Sequence, residues 1–188
     1  MDPSAKAECK TKRIVCLLLV LLWMGAIFAY SAKNAADSTV QSRWVGKVFG
    51  SIVVADWEDW TPQQQEAFAA KWDHVVRKTA HVAEYAVLGA LLTALLLIWP
   101  SSRRHAWKVA VPVGVLYAVT DEIHQRYVPG RACRLSDVWI DAAGVVLGCL
   151  LALGIYALIA GRRRRSGVQS SESLADPGKI DYDMRRGE

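Results

Sequence analysis

The sequence predicts an all-α protein, a four-span transmembrane helix bundle with an outer amphipathic helix. Three observations carry this. Of its 188 residues 53% are hydrophobic, and they fall into four long blocks rather than at the spacing of a soluble core. Basic residues recur in alternate connecting segments, the arrangement that fixes orientation in a membrane. One segment between the first two blocks has apolar residues at spacings of three and four, the mark of a one-sided helix.

Residues 14–30 form the first block, without a charge. It is preceded by a segment, 1–13, that carries Lys10, Lys12 and Arg13. A basic start and an apolar run ending in "AYSA" also fit a cleaved signal peptide. The length of the run and Trp23 at its centre favour an uncleaved anchor. The second block, 86–99, extends as a helix back to about Arg77, and the third, 109–120, ends in a polar motif. The fourth, 138–160, is interrupted only by Asp141. A crossing helix needs about 20 residues, so the middle two blocks must take their polar ends into the membrane surface.

With four spans, the segments holding Lys10 to Arg13, Arg103 to Lys108 and Arg162 to Arg165 share one side, and all are basic. That side is expected to be the cytoplasm, with both termini there. Trp99 and Trp107 flank the inner loop as interfacial anchors. The membrane domain then covers residues 14–160, with a first outer loop over 31–76 and a second over 124–137.

In the first outer loop Val40, Trp44, Val45, Val48, Phe49, Ile52 and Val53 lie on one helical face, with Ser42, Arg43, Gly46 and Lys47 opposite. Such a helix lies flat on the outer leaflet or packs on the bundle as a lid, and both can hold at once. "TPQQ" at 61–64 is a helix start: Thr61 as cap, Pro62 in the first turn and Gln64 completing a capping box. No Gly or Pro interrupts residues 63–88, so this helix is expected to feed the second span, with a bend near Trp72. Residues 161–188 read as a basic, then disordered, cytoplasmic tail. Its arginine run sets topology or meets anionic lipid rather than nucleic acid. Cys9, Cys16, Cys133 and Cys149 make neither a disulfide framework nor a zinc-finger spacing. No Gly-rich phosphate loop, nucleophile elbow or HExxH is present, and no cofactor is expected.

Polar residues crowd the outer ends of three spans. In "RKTAHVAEY", residues 77–85, Lys78, His81 and Tyr85 share one helical stripe, and Arg77, His81 and Glu84 an overlapping one. In "DEIHQRYVPGR", residues 121–131, Asp121 stands one turn from His124 and Gln125, and the Pro129-Gly130 turn presents Arg131. In "SDVWIDAAG", residues 136–144, Asp137, Asp141 and Gly144 fall on one stripe that Gly148 continues. A charge at the bilayer centre costs roughly 2.5–3.5 kcal/mol. These groups should therefore turn inward, with Arg77, Lys78, His81 and Arg131 pairing with Glu84, Asp121, Glu122 and Asp141. The bland outcome is a set of ion pairs fixing helix registry. The number of different ionisable types favours a polar pocket at the outer face. The Gly144/Gly148 face can serve an intrachain contact or a homodimer.

These three motifs, in this order on successive spans, resemble the VanZ-like membrane proteins over residues 14–160. By resemblance Arg77, Lys78, His81, Glu84 and Tyr85 match the family's first polar motif. Asp121, Glu122, His124, Gln125, Pro129, Gly130 and Arg131 match the second, and Asp137, Asp141 and Gly144 the third. Two positions depart from the family pattern: Ser31-Ala32 stands where relatives often have a Ser pair, and Asp141 where they often have Asn. The family takes its name from a member of a glycopeptide-resistance cluster that confers teicoplanin resistance. The resemblance thus implies the cell envelope as the setting, without supplying a reaction.

Two functions follow. In one, the pocket binds an anionic membrane lipid, a lipid-linked cell-wall precursor or a glycopeptide, with Arg77, Lys78 and Arg131 holding phosphate. In the other, the protein is a hydrolase or transferase acting on lipid phosphate esters. His81 or His124 would then carry the proton or attack, and Asp121 or Glu122 would orient it. His81, Glu84, Asp121, His124 and Asp141 could also make a mixed nitrogen and oxygen shell. The neighbouring cations speak against a divalent ion, and no metal site is expected.

Overall fold

The computed structural model describes residues 3–99, 103–131 and 133–175. They form an all-α bundle of long helices: α1 (Pro3–Ser31), α2 (Ala35–Val53), α3 (Pro62–Leu97), α4 (Ala106–Gln125) and α5 (Leu135–Ala175), with short 3-10 turns at Trp57–Asp59 and Arg103–His105. The chain divides into two compact units, Met1–Leu150 and Leu151–Glu188. The first holds α1 to α4 and the start of α5. In the second, the described residues are helical to Ala175, with Ile155, Leu158 and Ile159 exposed. The irregular tail expected after Arg165 lies, from residue 176, outside the described residues.

Three helices are long and apolar enough to cross a membrane by length and composition: Lys6–Ser31, Pro62–Leu97 and Leu135–Arg162. The sequence reading expected four. α4 falls short because its 20 residues include Lys108, Asp121 and Glu122, leaving too short an uncharged stretch. The large apolar side chains of these helices, among them Leu18, Leu22, Leu116 and Leu150, point outward, which suits a hydrocarbon surround and not water.

Lipid gives helices no hydrophobic reason to associate, so close backbone approach and hydrogen bonds must hold them. On α5, Gly144 and Gly148 lie against the Val82 and Ala86 carbonyls of α3, and Gly89 of α3 lies against the Val145 carbonyl. Residue numbers rise together along both helices, so α3 and α5 run parallel here. The glycine stripe is thus used within the chain. α1 runs with α4: Tyr117 Oη donates to the Met24 carbonyl at 2.6 Å, and Gln125 Nε2 to Ser31 Oγ at 2.8 Å. Trp23 Nε1 of α1 donates to the Glu84 carbonyl of α3 at 2.9 Å. Near the opposite ends of these two helices the Arg13 guanidinium covers the Trp99 ring at 4.5 Å, so α1 and α3 are antiparallel.

α3 begins as its sequence dictates. Gln64 N donates to Thr61 Oγ1 and Thr61 N to Gln64 Oε1, satisfying two orphan amides. The helix is then continuous to Leu97. α2 starts at Ala35, before the expected Val40, because Asn34 Oδ1 caps the Asp37 amide at 2.8 Å. It packs on α3 through its small and polar face. Gly46 meets Ala69, Gly50 meets the Trp57 ring, and Arg43 and Lys47 both reach Glu66, at 2.8 and 2.6 Å. Of its apolar side, Phe49 packs on Phe68 and Trp72 of α3, Val40 and Trp44 border a cavity, and much remains open, with Val40 70%, Trp44 67% and Ile52 78% exposed.

Candidate functional site

At the end of the first unit opposite Arg13 and Trp99, a cavity of about 790 Å³ opens between α2, α3 and the residues around the α4–α5 loop. Its wall carries Arg77, Lys78, His81 and Glu84 from α3, Glu122 and Gln125 from α4, Arg131 from the loop, and Asp137 and Asp141 from α5. Residues far apart in the chain meet because α3 and α5 begin at this end while α1 and α4 finish there.

The pairing inside the site differs from the expected one. Arg77 pairs with Asp73 one turn earlier, at 2.9 Å. Lys78 reaches across to Asp137 at 3.1 Å. Arg131 donates from Nη2 to Ser38 Oγ of α2 at 2.6 Å, and it forms no ion pair within 4.0 Å among the described residues. Its position comes from the loop. Gly130, at φ 76°, takes the left-handed conformation that only glycine adopts cheaply, and the Ala35 amide donates to the Pro129 carbonyl at 3.3 Å. Burial, then the nearby Arg77 guanidinium, lower the pKa of Arg131, while Asp121, Glu122 and Glu84 oppose them.

Glu122 is buried and accepts the Arg134 amide at 2.5 Å, tying α4 to the start of α5. It is spent on the loop and does not orient a histidine. His124 points away from the cavity wall, its ring 4.3 Å from the Phe28 ring of α1 and its Nε2 buried without a partner. His81 is the histidine at the cavity, with Nδ1 3.6 Å from Asp141 Oδ1. Asp121 lies behind the wall, held by Gln125 Nε2 at 3.1 Å. His81, Asp121 and Asp141 each bring a ligating atom within 4.8 Å of the others. Tyr85 is fully buried, its hydroxyl beside Asp121 but without a well-formed hydrogen bond among the described residues.

Several contributors escaped the sequence reading. Ser31, Ser38, Ser42 and His74 line the cavity. Ser42 Oγ also hydrogen-bonds Asp73, so α2 is bound to the same acid that holds Arg77. Asp73 stands one turn before Arg77, a signal the sequence did offer. The Ser31 and Ser38 contacts span 94 and 93 residues, and no local spacing announces them.

Compared with known proteins, the chain matches a family model described as VanZ/LLP1 over residues 16–159. No curated protein and no solved structure matches it.

Proposed function

The chain belongs to the VanZ/LLP1 family, and on that premise we propose that its cavity binds the phosphate-bearing head of an anionic lipid or of a lipid-linked envelope precursor at the outer face of a bacterial cytoplasmic membrane. The observation that carries this is Arg131. It is a half-buried guanidinium on the cavity wall whose described partner is one hydroxyl, which leaves donors for a phosphate. Arg77 and Lys78 stand on the same wall. In this reading α4 also crosses, as the third of four spans, both termini are cytoplasmic, and the apolar side of α2 rests in the outer leaflet, where it brings the cavity mouth to lipid depth. Capture of a precursor or of a glycopeptide there would connect the protein to teicoplanin resistance. A homodimer would need a surface other than the Gly144/Gly148 stripe.

The test uses protein in phosphatidylcholine discs titrated with a short-chain polyprenyl phosphate. Binding should saturate, and Arg131→Gln should weaken it by about 10- to 100-fold, the worth of a charged hydrogen bond. Unchanged binding in a folded Arg131→Gln protein overturns the reading.

The contact between His81 and a buried carboxylate supports a second reading, a hydrolase or transferase acting on lipid phosphate esters, with His81 and not His124 as its proton carrier. Phosphate release from the same substrates, lost in His81→Ala, is its signature.

A further inference from the structure

Beneath the cavity wall, the buried carboxylates Asp121 and Asp141 come together from α4 and α5, each 2% exposed. Each has a side-chain oxygen, Oδ1, with no hydrogen-bond partner among the described residues. An ionised carboxylate with an unsatisfied oxygen in such a place costs several kcal/mol, and two close together also repel. Two of the cations that could relieve them are paired with other acids, Arg77 with Asp73 and Lys78 with Asp137. Arg131 is hydrogen-bonded to Ser38 and forms no ion pair with either carboxylate within 4.0 Å among the described residues, so the sequence argument against a metal is weakened to this one guanidinium.

From this geometry we infer that His81, Asp121 and Asp141 form a binding site for one divalent transition-metal cation of the manganese or zinc class. Their ligating atoms lie within 4.8 Å of one another. Ligands about 2.1 Å from a common ion stand about 3.4 Å apart in a tetrahedral shell, so coordination requires these atoms to draw together by up to about 1.4 Å. Two carboxylates and a neutral imidazole balance a charge of +2, whereas a protonated His81 alone would leave one negative charge over. One nitrogen and two oxygen donors suit Mn²⁺ or Zn²⁺ better than the thiolate-seeking ions. Gln125, which donates both to Asp121 Oδ2 and to Ser31 Oγ, orients one ligand from behind, as outer partners of metal ligands do. His81 and Asp141 are themselves on the cavity wall, so a further coordination position opens toward whatever the cavity holds. The inference stands apart from the phosphate reading, because the site needs only the ion.

The experiment takes the full chain in lipid discs, with any affinity tag cleaved and the sample stripped with EDTA. It is then incubated with MnCl₂ or ZnCl₂ alone, gel-filtered and analysed for metal. About one ion per chain is expected, together with a metal-dependent rise in Tm. Asp141→Asn and Asp121→Asn keep the side-chain shape and relieve the repulsion, so both should fold, as gel filtration and melting will show. Each should lower metal affinity by about 100-fold or more and abolish the Tm response. His81→Gln provides a third variant should either fail to fold, and Glu58→Gln, at an exposed acid, should retain wild-type uptake. Failure of the folded wild type to take up either metal overturns the inference and leaves the carboxylates sharing a proton. Wild-type uptake by the folded Asp and His variants overturns it equally.

Discussion

Gln125 joins two helices, α1 and α4, with one amide. Its Nε2 donates to Asp121 within α4 and to Ser31 at the end of α1, and Asp121 in turn lies beside His81 of α3 and Asp141 of α5. Losing a buried partner costs about 1–3 kcal/mol when the other group is left unsatisfied. Ser31→Ala leaves Gln125 one acceptor, so a loss of about 1 kcal/mol is expected. Gln125→Leu strands both Ser31 and Asp121 Oδ2, for a loss of about 2–3 kcal/mol, read from unfolding curves in mixed micelles. Equal effects would mean that the amide does not bridge. The same residue marks how far the site could be read from the chain. Asp121 and Gln125 are one turn apart, and helical spacing alone made them neighbours. Ser31 came out of a comparison with relatives only as a departure from pattern, since nothing in a sequence sets the rotation of α1 against α4. The acid partners expected for Arg77 and Lys78 are Glu84, Asp121, Glu122 and Asp141. The actual partners are instead Asp73 and Asp137, nearer the open ends of α3 and α5, where an ion pair needs less desolvation.

Elements were more legible than contacts. The capping box of α3, the periodicity of α2 and the apolar length of α1 and α5 are local properties, and local chemistry fixed them. What local chemistry could not give was which neighbour each inward face would meet. α2 seats its small face on α3, and α5 presents glycines to the α3 backbone. A side chain at Gly148 would collide with the Ala86 carbonyl, so Gly148→Val should destabilise the bundle by about 1–3 kcal/mol or more. Gly25, in open space on α1, is the contrast. Gly25→Ala should be neutral or stabilise by up to about 1 kcal/mol through helix propensity. Thermal unfolding of the two variants in identical discs checks the difference, and a Gly148→Val protein as stable as wild type would place α5 elsewhere. For α2, a nitroxide on Ile52→Cys in a variant without the native cysteines should be relaxed by oxygen dissolved in the bilayer more than by a water-soluble nickel complex. The reverse order would lift the helix out of the leaflet.

At the scale of the molecule, the decisive quantity is which side of the membrane the cavity faces. Arg13 over Trp99 brings the basic N-terminal part of α1 to the same end as the basic segment after α3, and Ser31, His81, Asp121 and Asp141 gather at the other. The positive-inside rule then predicts the first end in the cytoplasm and the cavity outside, the orientation proposed above. The chain carries its own reporters. Cys133 is exposed in the α4–α5 loop beside the cavity, Cys9 is partly exposed near the basic start of α1, and Cys149 is buried. In intact spheroplasts an impermeant maleimide should modify Cys133, and Cys133→Ser should abolish that labelling. Cys9 should react only after lysis. The charge argument and the packing argument are independent up to this point, since one concerns lysines and arginines at helix ends and the other concerns which helix ends meet. Agreement would mean that two unrelated physical constraints select one orientation. Labelling of Cys9 from outside, with Cys133 protected, would turn the cavity toward the cytoplasm. An envelope precursor displayed on the outer leaflet would then be out of its reach, while the metal site, which depends on no orientation, would be untouched.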